Sequence, residues 1–482
     1  MLPPVLFLFN QNCLWEVQLG RSAHLDKTQL KLQICSLLTQ QRGLSGADLC
    51  HSMGISEASL SRLVRELVAE GTVQTSGGKR NKFYHLVRKL DSVPSHGVPV
   101  FEVGANGNPH QLGELIPIAQ VDYLFRHSGQ SAKETVFDGC PHFLMNLIPS
   151  GYLGRSIAGK HTDLNLPQDP RLWSPDIALK YLTHHGADGI GSLIVGSRAL
   201  ETWMHERLKG SNALLREKDR EQAFPVLAQG SAIGHAGSSA GGDQPKFLCS
   251  VVEERSGEVK SCLVKFSPPV TEKVGRRIAD LLISEHLALE TMRENAMPSA
   301  ESELITISDR IFLQVTRFDR NNSGRHGVVS LAALDAHYTG HMGSWSEIST
   351  ELSRHKVIPS SCLPEVFKKQ LFGHLIANTD MHSGNLSFFC SGLCNVSGLA
   401  PTYDMTPMHY IPRSGEVTWP PFLLPRLEAS LLSHFQEIAS VALEFWKKVS
   451  TDARISEDFR SEASKNRQVI LSSISNYTRL GN

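Results

Sequence analysis

A chain of 482 residues is too long for one ordinary hydrophobic core, so two or three domains are expected. Hydrophobic residues make up 41% and charged residues 20%, the balance of a globular protein, with no apolar run long enough to span a bilayer. Net charge is zero, which excludes binding to nucleic acid through overall charge and leaves only a local patch for that role.

Nine cysteines are scattered without a C-x-x-C pair. Cys390 and Cys394 lie closest, but no second pair completes a zinc site, so reduced thiols in a cytoplasm are expected. Residues 1–24 contain Val5-Leu-Phe-Leu-Phe9, too short for a signal h-region and without a basic n-region. They read as an N-terminal extension.

Residues 25–90 have the pattern of a winged helix-turn-helix. Leu30, Ile34, Leu37 and Leu38 share one face of a first helix. Ser45 and Asp48 are spaced to cap a second, and Gly54 turns the chain. A third helix is predicted from Ser56, stapled by Ile55 and Leu60, with Leu60, Leu63, Val64, Leu67 and Val68 buried. Glu57, Ser61, Arg62, Arg65 and Glu66 then face outward. Residues 72–75 and 83–86 are predicted wing strands around Ser76-Gly-Gly-Lys-Arg80. A helix in the major groove needs polar and basic outer residues, and a wing needs cations for phosphate. Ser56, Ser61, Arg62, Arg65, Lys79 and Arg80 are the DNA candidates, tempered by the two acids and by winged helices that bind only protein.

Residues 91–99 carry two prolines, a glycine and two serines and read as a linker. Beyond it, His184-His185 could ligate metal, but a helix end before a Gly-rich turn is the commoner setting. Gly234, Gly237, Gly241 and Gly242 precede a strand-like run at 247–252, where glycine lets backbone amides approach phosphate. No G-K-[ST] follows, so the loop is not Walker A. Lys265 sits on the next strand-like run, the hairpin order in which a kinase lysine reaches phosphates. Glu285, on a helical stretch at 274–292, is the carboxylate placed to orient it. Further on, Asp380 and Asn385 have the five-residue offset of a kinase catalytic loop, in which the Asp is the base and the Asn holds Mg²⁺, and Asp404 stands where a kinase carries its metal-holding DFG Asp. A C-terminal helical stretch at 427–475 places Leu431, Phe435, Ile438, Val441, Ala442 and Phe445 on one face.

Taken in order, Gly237-Ser-Ser-Ala-Gly-Gly-Asp-Gln-Pro-Lys246, Leu263-Val-Lys265, Val315-Thr-Arg-Phe-Asp-Arg320, Asn378-Thr-Asp-Met-His-Ser-Gly-Asn385 and Tyr403-Asp404 resemble the HipA-type serine/threonine kinases of bacterial toxin–antitoxin systems. The likeness spans roughly residues 97–480, includes the segments 143–155 and 185–191, and is nearest the longer subgroup with an N-terminal winged helix. It implies a two-lobed α/β (α+β) protein kinase fold, with an N-terminal lobe at 91–315 and a helical C-terminal lobe at 316–482. It implies ATP and Mg²⁺ as cofactors. Gly237, Ser239, Ala240, Gly241 and Gly242 would cover the phosphates with Lys265. Thr316, Arg317 and Phe318 would form the adenine hinge, with Asp319 near the ribose. His382, Asn385, Tyr403 and Asp404 would contact nucleotide or metal, Asn385 and Asp404 holding Mg²⁺ and Asp380 acting as base.

The resemblance further implies autophosphorylation of the Gly-rich loop at Ser238 or Ser239, a protein substrate of the aminoacyl-tRNA synthetase type, an antitoxin partner, and a cytoplasmic, DNA-associated life. Asn378-Thr379 replaces the His-Arg of eukaryotic-type kinases, so control through an activation-loop phosphate is not expected. Two other readings stay open: a transcriptional regulator whose kinase-like body only senses a ligand, and a small-molecule kinase.

Overall fold

The computed structural model describes residues 26–78, 81–91, 93–129, 133–208, 214–232 and 244–481. It divides the chain at Leu86/Val87 into two compact units. The N-terminal extension, Lys79, Arg80 and the Gly-rich loop from 233 to 243 lie outside the described residues.

The first unit is built from α1 (Lys27–Gln40), β1 (Leu44–Ser45), α2 (Gly46–Met53), α3 (Glu57–Ala69), β2 (Val73–Ser76) and β3 (Phe83–Leu86). Its sheet has the order β1-β3-β2, a wing beside three helices. Local chemistry explains the boundaries. Asp26 and Ser45 each close a capping box, Ser56 caps α3, and Gly54 ends α2 in the left-handed region at φ 64°. Ile34, Leu38, Leu49, Leu60, Leu63, Val64, Leu67 and Val73 form its core. Val68 does not join them: it is 37% exposed, because one step beyond Leu67 turns a helical side chain about 100° off the buried stripe.

The second unit begins with β4 (Val98–Val103), β5 (Pro109–Pro117), β6 (Tyr123–His127) and β7 (Glu134–Phe137). Then come α4 (His142–Leu147), α5 (Gly151–Lys160), α6 (Pro175–His185), β8 (Leu193–Val195) and α7 (Ser197–Leu208). The strands form a sheet of order β7-β6-β5-β4-β8, packed on helices through Val100, Leu115, Phe125, Phe143, Leu179 and Leu182.

Next follow β9 (Leu215–Arg216), α8 (Arg220–Ala232), β10 (Lys246–Val252), β11 (Val259–Phe266), α9 (Lys273–Glu294), β12 (Ser302–Ile307) and β13 (Arg310–Thr316). They give a second sheet of order β12-β13-β11-β10-β9. One side holds the aromatic cluster Phe224, Phe247, Phe266 and Phe312.

The remainder is mostly helical: β14 (Gly327–Ser330), α10 (Leu331–Tyr338), α11 (Trp345–Arg354), α12 (Leu363–Leu375), β15 (Ser387–Ser391), β16 (Asn395–Leu399), α13 (Ala429–Leu432), α14 (Phe435–Thr451) and α15 (Glu457–Gly481). The fold is a mixed α/β one. Its largest core joins α9 to α10, α11, α12, α14 and α15. Helix α9 is buried along nearly its whole length, and its first turn passes so close to the preceding loop that a Cβ on Gly275 would lie 1.9 Å from the Pro269 carbonyl oxygen. That approach pins the start of α9 to the loop that follows β11.

Candidate active site

Strands β10 and β11 form an antiparallel hairpin in which Lys246 faces Lys265 across the ladder. On its other side β11 pairs with β13, placing Lys265 opposite Leu313. Alternation along β11 turns Lys265 inward, where it is 3% exposed. Its Nζ donates to both Glu285 oxygens at 2.7 Å and contacts Asp404 Oδ1. Thr406 Oγ1 donates to Glu285 Oε2 at 2.9 Å and completes the carboxylate's surroundings.

These charges decide one another's protonation. Burial opposes the Lys265 ammonium, but Asp404 and Glu285 outweigh it and hold the group above its ordinary value. Burial likewise opposes the Asp404 carboxylate, yet Lys265, then Lys246, lowers it to about 2. Glu285 moves the other way: burial raises it, Lys265 pulls it back and Asp404 raises it again. The arrangement is an ammonium bracketed by two acids, with Asp404 the firmly ionised one. Asp404 adopts φ 58°, a left-handed turn an Asp tolerates better than most residues.

The loop after α12 holds the rest. Asp380 is exposed, its amide donating to Asn378 Oδ1 at 3.0 Å. Asn385 is buried and its Nδ2 donates to the Asp380 carbonyl at 2.9 Å, which leaves the Asn385 amide oxygen for another partner. His382 is exposed; its Nδ1 accepts from the Gly384 amide at 3.1 Å, and its carbonyl accepts from Trp345 Nε1 at 3.0 Å. Tyr403 donates to the Gly384 carbonyl at 2.9 Å and shares a 2.7 Å hydrogen bond with Ser387, tying the Asp404 turn to the Asn385 loop. A cleft of about 490 Å³ opens beside Asp380, with Met381, His409, Phe422 and Leu423 among its walls.

The expected hinge, Thr316 to Phe318 with Asp319 beside it, is partly engaged within the protein. The Thr316 and Arg317 amides donate to Glu301 and Ser261 carbonyls at 2.8 Å, so they extend the sheet and are already engaged. Asp319 is 4% exposed. Its carboxylate accepts from Arg317 at 2.9–3.0 Å, from Arg320 at 2.8 Å and from the Gly191 amide at 2.8 Å. Asp188 closes the network, bonded to Arg317 at 2.9 Å and Arg320 at 3.0 Å. Burial resists the Asp319 charge, but Arg317, then Arg320, holds it at about 2. The segment 185–191 has its role here, as the clamp on the strand end after β13. Phe318 lies against the Tyr403 ring, centroids 5.7 Å apart.

Gly237, Ser238, Ser239, Ala240, Gly241 and Gly242 fall outside the described residues. Lys246, Thr406 and Asp188 also surround these charged side chains, and no motif in the sequence gives them a role. Lys246 alone had a signal there, since it lies opposite Lys265 once the hairpin register is drawn.

In the first unit, Ser61, Arg62 and Arg65 are exposed on α3. Arg62 Nε also bonds the Ala58 carbonyl at 3.3 Å, and Ser56 spends its hydroxyl on the cap. Glu66 is held by Lys27 at 2.5 Å and Lys31 at 2.9 Å, and Glu70 by Lys31 at 2.6 Å. These pairs draw acidic charge off the helix face.

Residues 94–204 match the family model described as YjjJ-like toxin, middle domain, and residues 238–467 match HipA-like C-terminal domain. Toxin YjjJ of Escherichia coli (strain K12) is 33% identical over 422 residues, covering 86% of this chain and 92% of that protein. Among solved structures, a chain of the Shewanella oneidensis MR-1 HipA, HipB and operator DNA complex matches at 16% identity and TM-score 0.49, over 79% of this chain and 99% of its own. Helicobacter pylori proinflammatory kinase CtkA matches at 14% identity and TM-score 0.34, over 48% of this chain and 94% of its own. On the identity and reach of the Toxin YjjJ match and the HipA-like C-terminal domain, the chain belongs to the HipA-like toxin family.

Proposed function

We propose that the chain is an ATP-dependent protein serine/threonine kinase of the HipA toxin type. The observation that carries the reading is Lys265, fixed by two 2.7 Å bonds to Glu285 and touching Asp404. A lysine so held is preorganised for phosphate oxygens, and catalysis of phosphoryl transfer is mostly positioning and charge stabilisation. Asp404 keeps an oxygen not bonded to Lys265, and Asn385 keeps its amide oxygen, a hard donor set suited to Mg²⁺. Bound there, Mg²⁺ would neutralise charge on the transferring phosphoryl group. Exposed Asp380 would orient the incoming hydroxyl and accept its proton, with Asn385 and Asn378 fixing its backbone. Phe318 and Tyr403 offer aromatic faces at the nucleotide side.

In this reading residues 91–315 are the N-terminal lobe and 316–482 the C-terminal lobe, with Gly237, Ser239, Ala240, Gly241 and Gly242 covering ATP. Ser238 or Ser239 is the site of self-modification. The winged helix of the first unit binds DNA through Ser61, Arg62, Arg65, Lys79 and Arg80. An antitoxin and a protein substrate of the aminoacyl-tRNA synthetase type are the expected partners, in a bacterial cytoplasm near the nucleoid.

Incubation with radiolabelled ATP, alone and with cell lysate, tests the assignment. Label on protein supports it; label only on small molecules favours a small-molecule kinase; no label favours a ligand-sensing regulator.

A further inference from the structure

A second cluster of chemically capable side chains lies at the helix ends of the 94–204 region. His161 ends α5, its amide donating to the Ile157 carbonyl at 3.1 Å. Asp163 follows in a short 3₁₀ turn, and His185 is the last residue of α6. The His161 and His185 rings lie face to face, centroids 3.8 Å apart and planes at 28°. One nitrogen from each ring and one Asp163 oxygen all lie within 4.8 Å of one another. His185 Nε2 is buried and has no hydrogen-bond partner, so it is open to a ligand.

We propose that His161, Asp163 and His185 form a binding site for a divalent transition-metal ion of the Zn²⁺ type. Two imidazoles and one carboxylate are borderline donors that suit Zn²⁺ and its neighbours, whereas Mg²⁺ and Ca²⁺ favour all-oxygen sites. Metal–ligand bonds of about 2.0–2.2 Å place tetrahedral ligand atoms roughly 3.3–3.5 Å apart. The ligand atoms, all within 4.8 Å of one another, therefore have to draw together by no more than about 1.5 Å. Rotation of exposed Asp163 and opening of the ring stack would bring them together. Asp163 also gives the ion a path from solvent and leaves a fourth position for water. The ion would join the end of α5 to the end of α6, next to the 186–191 turn that clamps Arg317 and Arg320. The rival account is an ion-free stack of the two rings against Tyr181, whose centroid lies 6.0 Å from each.

Co²⁺ titration of the full chain in excess Mg²⁺ reads the site directly, because a four-coordinate Co²⁺ site absorbs strongly in the visible. The expected result is one equivalent bound, displaced by Zn²⁺, with Zn²⁺ raising the melting temperature. Asp163→Asn, at an exposed position, and His185→Gln should each weaken Co²⁺ binding at least tenfold and abolish that thermal shift while circular dichroism stays unchanged. No visible band in the parent, or parent-like binding by Asp163→Asn, overturns the proposal. The second result would assign the ion to others among the 21 histidines.

Discussion

Lys265 and Glu285 stand 20 residues apart on different elements, yet two hydrogen bonds of 2.7 Å join them in the protein interior. Neither side chain could be buried alone at tolerable cost, so each explains the other's position. Lys265→Met should lower phosphoryl transfer roughly 10²–10³-fold, as expected for loss of one electrostatic stabiliser. Glu285→Gln should lower it less, because the ammonium stays but loses its orientation. Steady-state rates at saturating ATP check the order of the two.

Asp380 and Asp404 have separate duties. Asp380→Ala should abolish transfer and leave Mg-ATP binding largely intact, while Asp404→Ala should lose Mg²⁺-dependent nucleotide binding as well. Calorimetric titration of Mg-ATP into both variants distinguishes them. Equal, parent-like binding and activity in both would remove the kinase assignment.

Asp319 is predicted to serve stability. Asp319→Asn leaves two buried guanidinium groups with only the half-exposed Asp188 as shared anion and should cost about 3 kcal/mol. Its folded-state value of about 2 lies below the unfolded value of about 3.9. Its contribution is therefore present above the unfolded value and lost as pH falls from there through the folded one. Thermal unfolding between pH 5 and pH 3 should show the parent losing more stability than the variant. Nucleotide affinity of the folded variant should stay within twofold of the parent; a large loss would restore a ribose contact.

The contrast shows what sequence could and could not reveal. Lys265, Glu285 and the 378–385 loop were legible because each lies in a short motif whose chemistry fixes the spacing. The caps at Ser45 and Ser56 were legible for the same local reason. The Asp188–Arg317–Asp319–Arg320 network was not, since Asp188 lies 129 residues from Arg317 and nothing local marks it as a partner. Read alone, Asp319 looks free to meet a ligand; only tertiary packing shows its oxygens filled. Val68 stays exposed because the apolar stripe of α3 ends at Leu67.

The winged helix should bind DNA through charge. Arg62→Ala with Arg65→Ala should weaken binding and reduce the slope of log affinity against log salt by about 2, one per phosphate contact. Mobility shifts at several salt concentrations measure it. An unchanged slope would make the unit a protein-interaction module.

Self-modification makes a sharper demand. A phosphoserine carries roughly −1.5 to −2 charge and three acceptor oxygens, so at Ser238 it would compete with ATP for the loop amides. Ser238→Ala should leave the kinase unable to silence itself, and Ser238→Asp should mimic the modified form only in part. Mass spectrometry of the parent and of Asp380→Ala should find phosphate on Ser238 or Ser239 in the first and none in the second.

Transfer of the labelled γ-phosphoryl group to protein, compared between the parent and Asp380→Asn at saturating Mg-ATP, tests the central claim most directly. The account predicts label on protein serine or threonine from the parent and a loss of at least 10³-fold in the variant, with ATP still bound. Equal labelling by the two proteins, or no labelling of any protein by a parent that binds Mg-ATP, would contradict it.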